Sequence, residues 1–354
     1  MPETPTILLP DGQQIGVGLP CFVIAEAGVN HNGDVALAHR LIDAAADAGV
    51  NAVKFQTFDP EQVAAPTAAR AEYQVRTTGK DGSQLDMLRQ LVLPRAAYQE
   101  LMRHAADRGL IFLSTPFDRD SADFLLDLGV PAFKVSSGDV TNHPFLEHLA
   151  RSGLPILLST GMSTLDEVGD AVNAIRACGN TSLVLFHCVS NYPASAEDCN
   201  LRAMDTMRTA FGVPVGWSDH TEGIEISLAA VGLGANLLEK HFTLDRNLPG
   251  PDHKASLEPD ELKHMVASIR RMEAALGDGI KRPVESEIPI AEIGRRSLYW
   301  RRSLPEGAVV TPDDFTALRP ATGISPAEQK TLVGRRLARA VNAGEMVASE
   351  DFKE

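Results

Sequence analysis

The chain has 354 residues, 44% of them hydrophobic, and a formal net charge of -14. So acidic a balance excludes nucleic acid and anionic membrane surfaces as ordinary partners, and no apolar run is long enough to predict a membrane helix. The length predicts two domains and a sizeable core.

Met1–Pro10 carries neither a basic segment nor a long apolar stretch, so no signal peptide is expected. Cys21, Cys178, Cys188 and Cys199 are widely spaced and form no CxxC, which fits reduced thiols in a cytoplasmic protein. Thr6–Leu9 and Gln14–Val17 flank Asp11-Gly12 and predict a hairpin. A rhythm follows. Short apolar runs at Cys21–Ala25, Ala52–Gln56, Ile111–Thr115, Ala132–Ser136, Pro155–Ser159, Leu183–Cys188, Pro214–Ser218 and Leu237–His241 suit parallel strands buried on both faces. Helical spacing separates them at Val35–Ala48, Pro94–Arg108, Asp120–Leu128, Leu165–Cys178, Ile224–Gly232 and Pro259–Leu276. Strand and helix, or a connection of helix length, alternate eight times, which predicts a (β/α)8 barrel over residues 1–280. A doubly wound sheet is the alternative, but the first turn, Ala25–Asp34, has no GxGxxG.

The connection from Thr57 to about Leu93 is unusually long and holds the polar run Arg76–Gln84. Such loops sit over the active face of barrels, so a partial lid is expected, with a surface excursion as the alternative. Residues 281–294 read as a polar linker containing Pro283. Residues 295–354, with short strands and turns, predict a small second domain that needs the barrel or a second subunit beside it.

Chemistry in a barrel sits at the C-terminal ends of the strands. There the sequence offers Glu26, then Lys54 and Gln56, then Thr115, then Lys134 with Ser137 and Asp139. Ser159, Ser190, Tyr192, Ser218-Asp219-His220 and Glu239-Lys240-His241 complete the series, with Asp252 in a proline-stiffened turn just beyond. Two lysines amid hydroxyls make a local anion site in an acidic protein. Two imidazoles on neighbouring strand ends can hold one divalent ion with open positions. Either histidine taken singly could instead be satisfied by ordinary hydrogen bonds. A Schiff-base aldolase would need one desolvated lysine and no metal, so the histidine pair argues against it. Cys188 reads as a small buried filler.

These motifs carry a resemblance. Ile24–Gly28 with Asn30–Asp34, Val53–Gln56, Ser114–Asp118, Lys134–Gly138, Ser159–Met162, Ser218–Thr221, Glu239–Thr243 and Pro249–Asp252 resemble those of the sialic acid synthases, the phosphoenolpyruvate-dependent nonulosonate synthases. Arg319-Pro320 with Gly323-Ile324 resembles their C-terminal antifreeze-like (SAF) domain. The resemblance runs through nearly the whole chain and implies roles by position. Lys54, Thr115, Lys134, Ser137, Ser159, Ser190 and Ser218 would bind phosphoenolpyruvate. His220 and His241 would hold Mn2+, with Mg2+ or Co2+ as substitutes. Gln56, Asp139, Tyr192 and Asp252 would contact an N-acetylated amino sugar. Glu26 and Glu239, with the two lysines, would carry the catalysis. A homodimer is implied, in which the SAF domain brings Arg319 into the partner's active site. Ser190 stands where N-acetylneuraminate synthases often have Asn, and Asp139 where they often have Glu. Asp139–Asn142 looks more like the synthases of legionaminate-type sugars. Two other readings compete: a related synthase acting on a phosphorylated sugar, which would want more arginines at the barrel mouth, and a non-catalytic carbohydrate- or ice-binding protein.

Overall fold

The computed structural model describes residues 6–10, 12–78 and 82–353. Asp11 in the predicted hairpin turn, and residues 79–81 in the polar run, lie outside them. The chain divides into two compact units, Met1–Gly277 and Asp278–Glu354.

The first unit opens with a short hairpin, β1 (Ile7–Leu8) and β2 (Gln14–Ile15). Eight parallel strands follow: β3 (Phe22–Gly28), β4 (Ala52–Thr57), β5 (Ile111–Pro116), β6 (Phe133–Val135), β7 (Ile156–Ser159), β8 (Leu183–Cys188), β9 (Val215–Asp219) and β10 (Leu237–His241). They hydrogen-bond in the order β5-β4-β3-β10-β9-β8-β7-β6. The two end strands, β5 and β6, are consecutive in the chain and pack side by side, which completes the ring. The helices come in sequence: α1 (Val35–Ala48), α2 (Pro60–Val63), α3 (Glu72–Thr78), α4 (Gln84–Arg89), α5 (Tyr98–Asp107), α6 (Arg119–Leu128), α7 (His143–Ala150), α8 (Leu165–Ala177), α9 (Ala203–Phe211), α10 (Glu225–Gly232) and α11 (Pro259–Leu276). Every barrel strand is therefore followed by at least one helix, and the (β/α)8 expectation holds.

Side chains alternate along each strand, and the alternation explains both cores. Outward residues such as Val23, Val53, Phe112, Leu158, Leu185 and Trp217 pack against the helices. Inward residues at the N-terminal end, such as Phe22, Ile24, Leu113, Val184, Phe186 and Leu237, fill the barrel. Ile7, Leu9 and Ile15 of the hairpin segment pack into the same cluster and close that end. Burying each such side chain stabilises by about 1.5–3 kcal/mol. Gly216 belongs to this layer: a Cβ there would collide with the Leu237 carbonyl and the Phe186 ring. Going up the same inward rows, the residue type changes from apolar to polar: Glu26, Lys54, Thr115, Lys134, Ser159, Ser218 and Glu239. That change marks the site.

Helix starts are well specified. Asp34 caps α1 by accepting from Ala36 and Leu37. Thr164 and Glu167 form a capping box on α8, as Ser83 and Asp86 do on α4. Among the described residues no helix is long and apolar enough to cross a membrane.

The second unit has its own core of Leu298, Trp300, Val310, Phe315, Leu337, Val347 and Phe352. It contains α12 (Ile288–Gly294), the antiparallel pair β11 (Ser297–Trp300) and β12 (Phe315–Leu318), and α13 (Gln329–Leu332). The Trp300 indole donates to the buried Asp351 carboxylate at 3.0 Å, and Arg339 pairs with the same residue at 2.6 Å.

Candidate active site

One cavity of about 450 Å3 opens at the C-terminal ends of the barrel strands. Glu26, Lys54, Gln56, Thr115, Lys134, Ser137, Ser159, Ser190, Tyr192, Ser218, His220, Glu239, His241 and Asp252, all singled out from sequence, line it together. The residues differ in chain position by more than two hundred, and only barrel closure brings them to one place.

The floor is a network of buried charge. Lys54 Nζ lies 2.8 Å from Glu26 and 3.8 Å from Glu239, and it donates to Thr115 Oγ1 at 2.9 Å. Lys134 Nζ lies 3.5 Å from Glu239 and donates to Ser159 Oγ at 2.7 Å. Glu239 thus faces two ammonium groups, and Ser218 donates to it at 3.3 Å. Burial raises a carboxyl pKa and depresses an amine pKa, while opposite charges do the reverse. At Glu26 burial wins and pushes the carboxyl up to about 7, although Lys54 pulls it down. At Glu239 burial pushes up as well, but Lys134 and Lys54 outweigh it and the carboxyl stays below its usual range. Burial depresses Lys134 despite Glu239. At Lys54 burial is overcome by Glu239 and Glu26, so that ammonium is held firmly charged. Two lysines thus face two glutamates on one buried floor, and Glu26 is the glutamate that burial brings close to neutrality.

The hydroxyl side converges on Gly161. Its N–H donates to Ser137 Oγ at 2.9 Å, and Cys188 Sγ lies 3.2 Å from the same oxygen. A Cβ at Gly161 would run into Ser190 Oγ, Cys188 Sγ and Ser137 Oγ together, so a side chain there would fill the cradle. Cys188 is buried, as a filler should be, and burial pushes its thiol up, but it also forms part of the cavity wall.

The strand-end triplets divide their labour by alternation. Ser218, His220, Glu239 and His241 face the cavity. Asp219 and Lys240 face the other way and pair with each other at 3.1 Å, both fully buried. Asp219 also accepts from the Thr221 backbone at 2.8 Å and from Ser227 Oγ at 2.5 Å. This strut was not anticipated; it holds the backbone of both histidine-bearing strand ends. The rings of His220 and His241 have centroids 5.5 Å apart. His220 donates from Nδ1 to the Val189 carbonyl at 2.6 Å, which leaves Nε2 as its lone-pair nitrogen, 3.1 Å from the Tyr192 hydroxyl. Burial depresses His220 to about 4 and holds His241 well below the ordinary histidine range, so both are neutral imidazoles near pH 7. Two neutral imidazoles with an oriented lone pair fit a divalent cation. Among the described residues no third His, Cys, Asp or Glu completes a metal cluster, so the remaining positions would fall to ligand or water.

Asp252 has its carboxyl pushed up to about 6 by burial alone. Its loop is fixed by Ser256, whose hydroxyl donates to the Asp252 carbonyl at 2.7 Å and accepts from Asn30 at 3.0 Å. A carboxyl whose folded pKa lies above its ordinary 3.8 keeps a proton that the unfolded chain releases. Its stability contribution is present below about pH 4 and lost as pH rises through about 6. Asp252→Asn should therefore gain about 3 kcal/mol relative to the unsubstituted protein between pH 4 and pH 8. Urea unfolding at the two pH values measures this; an equal difference at both contradicts it.

One residue expected at this cavity does not line it. The 3-10 turn Ser137–Asp139 presents Ser137 and Gly138 to it, and Asp139, a third of a turn on, instead accepts from Asn142 at 3.1 Å. Arg319 belongs to the second unit and is exposed after β12. Conversely, the long connection after β4 supplies Phe58, Gln84, Met87, Leu88 and Leu91 to the lining. Only its length signalled this.

The fold is thus a (β/α)8 barrel whose C-terminal mouth is lined by two lysines and two imidazoles. Residues 41–281 match the NeuB family, and residues 295–353 match the SAF domain. The chain belongs to the NeuB family. It is 47% identical over 333 residues to an N,N'-diacetyllegionaminic acid synthase of Legionella pneumophila, covering 93% of this chain and 94% of the relative. A protein of the same name from Campylobacter jejuni is 45% identical over 94% of this chain and 97% of its own. The crystal structure of an N-acetylneuraminic acid synthetase from Leptospira borgpetersenii superimposes with a TM-score of 0.72 at 36% identity, covering 82% of this chain and 96% of that one.

Proposed function

We propose that this chain is a nonulosonic acid synthase that condenses phosphoenolpyruvate with an open-chain N-acetylmannosamine-type sugar and releases phosphate. Within enzymes it is a transferase of the alkyl-transferring kind. One observation carries the reading: Lys54 and Lys134 share Glu239 on the floor of the cavity that also holds the His220–His241 pair. The curated relatives named above support an acceptor with two acetamido groups.

In this reading Lys54, Lys134, Thr115, Ser159 and Ser218 hold the carboxylate and phosphate of phosphoenolpyruvate, and Ser137, Ser190 and the Gly161 N–H close on its oxygens. His220 and His241 would hold a divalent ion, Mn2+ in the first instance, and that ion would supply Lewis-acid polarisation of the sugar aldehyde. Gln56, Tyr192 and Asp252 orient the sugar. C3 of phosphoenolpyruvate forms a bond to the aldehyde carbon, whose oxygen takes up a proton. C2 becomes oxocarbenium-like. Water adds its oxygen at C2 and loses a proton, giving a tetrahedral C2 that carries both a hydroxyl and the phosphate. The hydroxyl gives up its own proton as the C2–O bond to phosphate breaks, leaving a C2 ketone and inorganic phosphate. Charge migrates during these steps from the enol phosphate towards the leaving phosphate. The two ammonium groups, already fixed, stabilise it without reorganising. Glu26, with a carboxyl near 7, can accept and return a proton at neutral pH. A homodimer in which Arg319 enters the neighbouring copy's cavity belongs to the same proposal, as does a cytoplasmic location.

The two lysines are the only cationic side chains among the described lining residues, and both face glutamates. That supports an unphosphorylated acceptor over a sugar phosphate. Phosphate release separates the readings. With phosphoenolpyruvate and Mn2+, it should occur with unphosphorylated 2-acetamido and 2,4-diacetamido mannose-type sugars. Release only with a sugar phosphate, or with no sugar at all, contradicts the proposal.

A further inference from the structure

The cavity is two-toned. Its floor carries the charges and hydroxyls described above. Its opposite wall is apolar: Val29, Phe58, Met87 and Leu91 form one buried cluster, with Leu88 and Phe117 packed against it, and all six line the cavity. Half of that wall comes from one short element. Gln84, Met87, Leu88 and Leu91 follow each other at i, i+3, i+4 and i+7, so they form one face of α4 and of the turn that continues it. Leu91 stays in phase because its N–H bonds the Leu88 carbonyl at 2.9 Å.

The element is held from its other sides. Leu85 is buried away from the stripe. Ser83 and Asp86 cap the start reciprocally. Arg89 donates to Glu61 at 2.9 Å and so ties α4 to α2. The stripe is thus a fixed wall rather than a loose cover.

We propose that this face of α4 decides which acceptor the site takes: it receives a sugar end bearing a methyl and an amide in place of hydroxyls. The inference rests on the synthase reading above and specifies its acceptor-selecting residues. A sugar hydroxyl pressed against Met87, Leu88 and Leu91 gives up water and finds no partner, whereas a methyl carbon gives up nothing. Gln84, half-buried on the same face, offers one carbonyl acceptor and an NH2 donor, the complement of a secondary amide. Gln74, also in the lining, already accepts from the Ala71 N–H at 3.0 Å. Among this chain's described lining residues, a charged substituent at that end would meet no counter-ion, because both lysines belong to the floor.

The test compares kcat/KM for three acceptors: N-acetylmannosamine, its 6-deoxy form, and 2,4-diacetamido-2,4,6-trideoxymannose. The unsubstituted protein should favour the last over the first by about a hundredfold, the usual ceiling for rejecting a hydroxyl with apolar surface. Leu88→Gln should lower the preference for the 6-deoxy sugar over N-acetylmannosamine by about tenfold. Gln84→Leu should lower the diacetamido sugar against the 6-deoxy sugar by about tenfold. The KM for phosphoenolpyruvate reports whether the floor is intact in both variants. Both ratios unchanged, while phosphate is still released, overturn the role of α4 and leave the synthase reading standing. Phosphate release with none of the sugars overturns both.

Discussion

Lys54→Met should reduce turnover by about a thousandfold, the scale of losing one fixed electrostatic group at a reacting centre. The substitution keeps the length of the stem and removes the ammonium, with its charge and the hydrogen bond it donates to Thr115. Lys54 is 3% exposed, and it pairs with Glu26 at 2.8 Å and Glu239 at 3.8 Å. Without it Glu26 keeps burial and the Glu239 charge as influences that raise its pKa, so it should be protonated well above pH 7. A proton acceptor is lost with the ammonium. Breaking a buried pair also costs about 3–5 kcal/mol of stability unless the orphaned carboxylate neutralises itself. Glu26 can do so, and a smaller loss is expected. The measurement is initial rate of phosphate release against phosphoenolpyruvate concentration, with urea unfolding alongside. Loss of rate together with wholesale unfolding would point to a structural lysine; near-normal rate would remove Lys54 from the site.

His241→Ala should abolish turnover and weaken Mn2+ binding by at least about a hundredfold, while the barrel stays folded. Among the described residues the ring makes no hydrogen bond, and its buried Nδ1 has no partner. Little of the fold rests on it. His220 differs, because it is anchored to the Val189 carbonyl, so His220→Ala should also loosen the β8–α9 loop. Calorimetric titration of Mn2+ reads the affinity independently of activity. Unchanged Mn2+ affinity in His241→Ala would remove the imidazole pair from the metal role, and full activity in the presence of a chelator would remove the metal.

The barrel was legible because its strands are continuous apolar runs buried on two faces. Leu183–Cys188 and Leu237–His241 begin and end where the sequence indicated. Val35–Ala48 and Pro259–Leu276 did too, since Asp34 and Pro259 punctuate them. Two barrel helices escaped notice. His143–Ala150 is short and carries Pro144 in its first turn, and Ala203–Phe211 starts after Arg202 with no side-chain cap. The connection after β4 hid three helical segments for the same reason. Each spans at most seven residues, too few for periodicity to outweigh interruptions by Pro, Gly and charge. The floor of the site was legible because period two on eight strands leaves few places for a strand-end lysine or glutamate to go. The same alternation places the Asp219–Lys240 strut: neighbours in a strand face opposite ways, so only alternate members of each triplet reach the cavity. The direction of Asp139 was not legible, because a 3-10 turn advances by a third of a circle per residue and sequence order does not give its phase.

The most direct test is a crystal structure of the protein with phosphoenolpyruvate and Mn2+. It should show an anomalous peak within bonding distance of both His220 and His241, and the ligand's phosphate and carboxylate against Lys54 and Lys134. Phosphoenolpyruvate found away from the lysines, or no peak between the imidazoles at saturating Mn2+, would contradict the shared site on which the proposed condensation depends.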